Sequence, residues 1–423
     1  MHSTVNQINK PFTLTAFSSK PSVSAVLTPS FQSAREMAEE IQPKAAPSLD
    51  LPKSNSTCEV SIIPCAPDLV CATDSLLLPV IKGHERLNLP TYAFHITHKV
   101  SGKQVMFDAG ARKDWWNMTP SNKAAVLDTV PGIKSDMEIT EILTAGGVDL
   151  NNINSVIFSH WHWDHTGNMA LFPKSTEVIV GQGFKEAFLP AYPEGQKSPF
   201  HAYEFEGREI REIEFNTGHK IGDFPAYDLF GDGSLYLLDA PGHAVGHVMA
   251  LVRTTPDTFM VLGGDITHFS GAFRPTQYKP MPSSFDENTK FAAHVPSPCS
   301  CHVFTACHPD PENARTKPFY HASSAPGSWY VDPPLAQKSI TSLYDLDANP
   351  NIMVAIAHDP SLGEVLPLFP SATINDWKEK GYKEKTTWRF LNELPIDGKQ
   401  GRPPLVDGLY REGEKVRGLE LDS

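Results

Sequence analysis

Between residues 57 and 370, short apolar runs alternate with polar stretches punctuated by glycine and proline, and most of the runs have strand length. Glu59-Val60-Ser61-Ile62-Ile63 predicts the first strand. Residues 92–100 and 104–107 read as a hairpin around Ser101-Gly102-Lys103. Ser135-Asp136-Met137-Glu138 has capping-box form and predicts a helix running to Gly146-Gly147. The β-branched run Ser155-Val156-Ile157-Phe158 predicts a buried strand over 155–159, and 178–180 reads as another. Residues 181–205, rich in Phe, Tyr and Pro, predict a helix and the rim of a site. In the second half, 211–215, 226–230, 235–238, 248–253 and 259–262 are spaced as a meander, with turn signals such as Gly231-Asp232-Gly233. Residues 352–356 form the last apolar strand. Strand-rich halves with interleaved helices suit a layered α/β architecture.

Outside that pattern the chain changes character. Residues 1–56 are rich in Ser, Pro, Thr and Lys and lack a sustained period, which predicts a mostly disordered tail with a short helix over 34–41. Residues 270–350 are Pro-rich and irregular, apart from a predicted helix over 287–294. That is too long for a bare connection and reads as an insertion framing a site. Residues 371–423 predict a helix over 374–381 and a charged tail packed on the 57–370 domain.

The chain has 423 residues, 40% of them hydrophobic, so it can bury a sizeable core. Lys+Arg 36 against Asp+Glu 49 gives a net charge of −13, and there are no basic blocks. This argues against nucleic acid or an anionic membrane as partner. No apolar stretch reaches transmembrane length. Met1-His2-Ser3-Thr4-Val5-Asn6 lacks the pattern of a secretory signal, and Lys10, Lys20 and Arg35 give only a weak signal for a mitochondrial transit peptide, without a clear amphipathic Arg pattern. A cytoplasmic location is therefore expected, with a mitochondrial one as the alternative. The six cysteines are then reduced thiols. Cys299-Ser300-Cys301-His302, with Cys307-His308 behind it, reads either as a zinc site or as a Pro-rich loop with packed thiols; the spacing departs from Cys-x-x-Cys pairs.

The densest chemistry lies at Ser159-His160-Trp161-His162-Trp163-Asp164-His165. His160, His162, Asp164 and His165 crowd four potential ligands into one short loop at the end of a predicted buried strand. Buried ionisable groups need partners, and a divalent metal is the partner that suits imidazole with carboxylate. Further His and Asp residues stand at later strand ends.

His160-x-His162-x-Asp164-His165 resembles the signature of the metallo-β-lactamase superfamily of hydrolases. Pro241-Gly242-His243-Ala244-Val245-Gly246-His247, Gly263-Gly264-Asp265, Ala357-His358-Asp359 and Phe107-Asp108-Ala109-Gly110 resemble its other segments in order. The resemblance implies a four-layer αββα sandwich with two zinc ions per chain. His160, His162 and His243 would hold the first ion, and Asp164, His165 and His358 the second. Asp265 would bridge them. Asp108 would either accept a hydrogen bond from a ligand imidazole or serve as a turn residue before Gly110. His247 reads as a core histidine, and Trp161 and Trp163 as scaffold. Phe184, Phe188, Tyr192 and Phe200 could line an apolar pocket or pack in the core.

Among branches of that superfamily, the chain looks most like the N-acyl-homoserine-lactone lactonases. That branch has a Tyr three residues after the bridging Asp, where this chain has His268. The implied function is opening of a small cyclic ester or amide, a lactone or lactam, by a hydroxide bridging the two ions. Asp164 would carry the proton to the leaving group and His268 would assist the carbonyl. The alternative is a thioesterase acting on carrier-protein or glutathione thioesters. A nuclease is disfavoured by charge, and a scaffold without turnover by the full ligand set.

Overall fold

Alternation along the central strands decides how the layers stack. In Leu235–Asp239, Leu235 and Leu237 belong to one apolar cluster and Tyr236 and Leu238 to another. In Thr258–Leu262, Met260 and Leu262 join the first cluster while Phe259 and Val261 join the second. Successive side chains on a strand point to opposite faces, so this sheet is apolar on both sides and needs cover on both.

The computed structural model describes residues 39–420. Among them, a nine-stranded sheet runs in the order Glu414–Arg417, Leu409–Arg411, Gly132–Lys134, Cys58–Ala72, Arg86–His98, Gln104–Phe107, Ile153–Ile157, Glu177–Val180, Ile210–Glu212. A six-stranded sheet runs Ile352–Ala355, Thr258–Leu262, Val248–Thr255, Leu235–Asp239, Phe224–Asp228, Lys220–Ile221. The two meet through Ile62, Phe94, Phe107 and Ile157 on one side and Leu237, Ala250 and Leu262 on the other. The helix Ile139–Ala145 and the aromatic cluster around Phe184 cover the outer face of the first sheet. The helix Pro333–Ala348 covers the second, burying Ala336, Ile340, Leu343 and Leu346 against Leu238, Leu251 and Val261. This is the expected four-layer α/β sandwich.

Several local expectations are corrected. The helix opening near residue 138 starts later: Glu138, not Ser135, is its N-cap, in a capping box with Glu141. The strand expected over 211–215 is Ile210–Glu212, and it pairs in parallel with Glu177–Val180 in the first sheet instead of joining the meander. The helix expected over 287–294 shrinks to one turn at Glu287–Thr289, ended by Lys290 in the left-handed region. The C-terminal helix is Tyr382–Thr387, not 374–381, and begins after Gly381 at φ +65°.

The largest miss lies in the insertion, which holds the 16-residue helix Pro333–Ala348. Its signals were local: the Asp332 side chain accepts from Leu335 N, and Pro333 occupies the first turn, where a missing N–H does no harm. Most of the tail expected over 1–56, and most of the helix over 34–41, lie outside the described residues. Residues 39–56 carry no helix or strand, yet they are laid against the domain. Ser283 N donates to Glu40, Lys44 N donates to Gln277 O, and Leu49 and Leu51 pack beside the second sheet.

Candidate metal centre

The candidate ligands converge because the strands that deliver them end at the same edge. Gln104–Phe107 and Ile153–Ile157 run parallel, and the chain leaves them at Asp108 and at the 159–165 loop. In the second sheet, Thr258–Leu262 and Ile352–Ala355 run parallel and lead to Asp265 and His358. Leu235–Asp239 lies two antiparallel steps from Thr258–Leu262, so it shares that direction and leads to His243. Ligand sites in open α/β sheets form beyond such carboxyl ends. Two cross-links close the edges together: Val248 N donates to Ser159 O at 2.8 Å, and Tyr92 N donates to Ala357 O at 3.0 Å.

The side chains gather into two groups sharing one carboxylate. His160 Nε2 stands 2.8 Å from His162 Nδ1 and 3.2 Å from His243 Nε2, and His243 Nε2 is 3.0 Å from His162 Nδ1. Asp265 Oδ2 faces this group, 3.7 Å from His160 and 3.6 Å from His243. Asp265 Oδ1 faces the other way, 3.2 Å from both His165 Nε2 and His358 Nε2. Asp164 Oδ2 completes the second group, 3.7 Å from His165 and 3.6 Å from His358. All are buried except His162, which is half-buried and marks the accessible side. The rings of Trp161 and Trp329 lie against it at 4.5 and 6.1 Å.

The hydrogen-bond network fixes which nitrogens are bare. Ser159 Oγ donates to Asp108 Oδ2 at 2.9 Å, so it accepts from His160 Nδ1 at 3.0 Å, leaving His160 Nε2 a lone pair. His165 Nδ1 donates to Asp108 Oδ2 at 2.9 Å, and His358 Nδ1 donates to the Pro90 carbonyl at 3.2 Å. Their Nε2 atoms are then also bare, and both face a carboxylate oxygen. His165 Nε2 and Asp265 Oδ1 are buried without a hydrogen-bond partner among the described residues. Lone pairs this close in a dry site repel unless a cation stands between them. Ligands about 2.0–2.1 Å from a tetrahedral zinc stand about 3.4 Å from one another, close to these spacings. The residues therefore fit a pair of metal ions.

Electrostatics lean the same way. Burial, with His165, His162 and His243 nearby, holds His160 well below its usual pKa. Burial also depresses His243. Burial opposes charge on His165, but Asp265, Asp164 and Asp108 outweigh it and raise the pKa. The second group thus has enough negative charge to hold a cation, proton or metal.

Around the ligands, Asp108 does both things offered for it. It sits in a turn at φ +63°, and its carboxylate takes Ser159 N at 2.7 Å as well as Ser159 Oγ and His165. His247 is a satisfied core histidine: Nδ1 donates to Ala240 O at 2.9 Å and Nε2 accepts from Asp265 N at 3.1 Å. His268 reaches the centre, but both ring nitrogens are engaged, with Asp265 Oδ2 at 3.0 Å and Tyr330 Oη at 3.2 Å. In this arrangement neither is free for a substrate carbonyl. Phe184 and Phe200 are buried with Phe158 and Phe205 in the apolar cluster under the first sheet. Trp163 is buried, and half-buried Trp161 packs on Phe188 at 5.0 Å.

Sequence reasoning did not find Ser159, Trp329 or Tyr330. Ser159 had a signal, its place directly before the His cluster; the other two come from the aperiodic insertion. The cysteine segment forms no group of three or more candidate ligands among the described residues. Among the described residues, the groups of His, Cys, Asp and Glu close enough to share an ion are the two above. His308 accepts from Asp310 N at 2.9 Å and donates to Lys317 O at 3.0 Å, leaving a loop with packed thiols.

Residues 105–287 match the family model of the metallo-beta-lactamase superfamily. Gamma-lactamase FDB1 of Fusarium pseudograminearum (strain CS3096) is 38% identical over 393 residues, 89% of this chain and 93% of that protein. The chain belongs to the metallo-β-lactamase superfamily. Metallo-hydrolase mfmC of Annulohypoxylon moriforme is 37% identical over 372 residues, 85% of this chain and 94% of its own. N-acyl homoserine lactonase AttM of Azorhizobium caulinodans is 32% identical over 166 residues, 39% of this chain and 60% of that protein. A crystal structure of a quorum-quenching N-acyl homoserine lactone lactonase superposes with a TM-score of 0.47 at 18% identity, covering 75% of this chain and 99% of that one. The chain is thus a lactamase- or lactonase-like hydrolase of that superfamily. No helix among the described residues is long and apolar enough to cross a membrane.

Proposed function

We propose that the chain is a dinuclear zinc hydrolase that opens a small cyclic amide or cyclic ester. The observation that carries this reading is Asp265, whose two oxygens face separate groups of candidate ligand imidazoles. His160, His162 and His243 would hold one ion and Asp164, His165 and His358 the other. Zinc bound there would supply Lewis-acid polarisation of the ring carbonyl and a water acidified to near neutrality.

The chain's own residues set the remaining chemistry. Hydrolysis adds OH to the carbonyl carbon and a proton to the departing ring nitrogen or oxygen. Asp164, in the second group, would carry that proton. His162 is the half-buried ligand, so substrate arrives on its side, between the ligands and the aromatic rings of Trp161 and Trp329. The name gamma-lactamase on the relative matched over most of its length supports a cyclic amide, and the lactonase AttM supports a cyclic ester. The free thiols and the lack of basic blocks fit a cytoplasmic enzyme of small molecules.

A panel of γ-lactams, lactones and carrier-protein or glutathione thioesters on zinc-loaded protein tests the proposal. Ring opening of a lactam or lactone is expected, abolished by Asp265→Ala. Thioester turnover with every cyclic substrate untouched would establish the thioesterase reading instead.

A further inference from the structure

A row of three buried side chains links the insertion to the centre of the site. Tyr330 Oη lies 3.2 Å from His268 Nδ1, and His268 Nε2 lies 3.0 Å from Asp265 Oδ2. A carboxylate oxygen only accepts, so Nε2 carries the hydrogen. In a neutral imidazole Nδ1 is then the acceptor, and the phenol O–H donates to it. Each donor in the row therefore points towards Asp265. The opposite tautomer would turn a lone pair onto the carboxylate in a dry site, which is unfavourable.

The strap that carries Tyr330 is held on both sides. Val331 N donates to His243 O at 3.1 Å, Asp332 N donates to Gly242 O at 2.9 Å, and Trp329 N donates to Ser75 O at 3.0 Å. The phenol is thus fixed relative to the loop that bears a metal-ligand candidate. The row also touches only one oxygen of Asp265. Oδ2 is the oxygen facing His160 and His243, whereas Oδ1 faces His165 and His358.

We propose that Tyr330 and His268 are positioning residues for the bridging carboxylate: the phenol fixes the His268 tautomer, and His268 holds Asp265 Oδ2 for the ion at His160, His162 and His243. The inference rests on the dinuclear reading above. It gives His268 an indirect role in place of the direct contact with substrate expected from sequence. It also gives the 270–350 insertion a task, since the segment that frames the site sets the strength of one metal position.

The test uses the full chain loaded with zinc, titrated with a competing chelator while bound zinc is counted, with circular dichroism to check the fold. Wild type, Tyr330→Phe, His268→Phe, His268→Gln and the double variant Tyr330→Phe/His268→Phe are compared. Outer partners of ligating groups are worth about 10–100-fold in metal affinity. Tyr330→Phe and His268→Phe should therefore release one of two ions at about 10–100-fold less chelator, while the other is held as in wild type. His268→Gln presents an amide N–H near the same point and should recover most of the loss. The double variant should be no worse than His268→Phe, because the phenol acts through the imidazole. Unchanged retention in Tyr330→Phe and His268→Phe, or a His268→Gln no better than His268→Phe, overturns the inference alone. A wild type that binds no zinc overturns the dinuclear reading and the inference with it. Should His268→Phe not fold, Tyr330→Phe, which removes a single oxygen, still decides.

Discussion

Replacing Asp108 separates the structural and metal-tuning parts of the site. Its carboxylate accepts Ser159 N at 2.7 Å, Ser159 Oγ at 2.9 Å and His165 Nδ1 at 2.9 Å. Asp108→Ala strands the Ser159 N–H and the His165 Nδ1–H in the interior, at about 1–3 kcal/mol each, and so about 2–6 kcal/mol in all. It also leaves a residue less tolerant of φ +63° in the turn. Asp108→Asn is gentler on the fold, since the side-chain carbonyl still accepts from Ser159 N. Its amide, however, presents N–H where Oδ2 was. His165 must then accept at Nδ1 and carry its hydrogen on Nε2, which faces Asp265 Oδ1 at 3.2 Å. A protonated Nε2 cannot ligate a metal, so the second ion should weaken by about 10–100-fold or more, equivalent to about 1.4–2.7 kcal/mol. Urea unfolding reads the first effect and zinc retention against a chelator reads the second. The expected result is a large loss of stability for Asp108→Ala, and a folded Asp108→Asn protein holding one ion firmly and the other weakly. An Asp108→Asn protein that retains both ions as wild type does would refute the tautomer argument.

Other perturbations probe separate parts of the account. His160→Ala or Asp265→Ala should abolish hydrolysis and lower bound zinc, and turnover at the wild-type rate would reject the site. Gly242 has φ +121°, and a Cβ there would lie 2.1 Å from Ala336 N, so Gly242→Ala must push the helix Pro333–Ala348 off the His243 loop. A loss above about 3 kcal/mol in unfolding free energy is expected, and a near-neutral variant would contradict that packing. Asp347 is buried between Arg274, at 2.6 and 3.0 Å, and Lys279, at 2.9 Å. Burial works to raise its pKa, but the two cations outweigh it and hold the carboxyl far below the usual range. The stability this pair of contacts gives is present above the unfolded-state value near 3.9 and is lost as pH falls below it. Asp347→Ala should cost about 3–5 kcal/mol at neutral pH and flatten the acid limb of the stability curve, and an unchanged limb would assign acid sensitivity elsewhere.

The candidate site was legible because His160, His162, Asp164 and His165 form a density of ionisable residues that a packed core does not tolerate without partners. The strand before them was legible too, since Val156, Ile157 and Phe158 are buried as their pattern implied. The register of caps was less so: Glu138 and Glu141 form the capping box one turn after the Ser135–Glu138 pattern that suggested it. The insertion hid its contribution for a physical reason. Its prolines mask the period of Ala336, Ile340, Leu343 and Leu346, although Asp332 and Pro333 mark the start of that helix. Tyr330 carries no local signal, because its meeting with His268 depends on how the strap docks on Ser75, Gly242 and His243. Asp108 was ambiguous between turn and acceptor because the turn is what aims the carboxylate.

Diffraction from crystals of the zinc-loaded protein, recorded on either side of the zinc absorption edge, tests the central claim most directly. Two anomalous peaks are predicted, one among His160, His162 and His243 and one among Asp164, His165 and His358, with Asp265 between them. No peak at these residues, or a lone peak that leaves either group of side chains without a cation, would contradict the account.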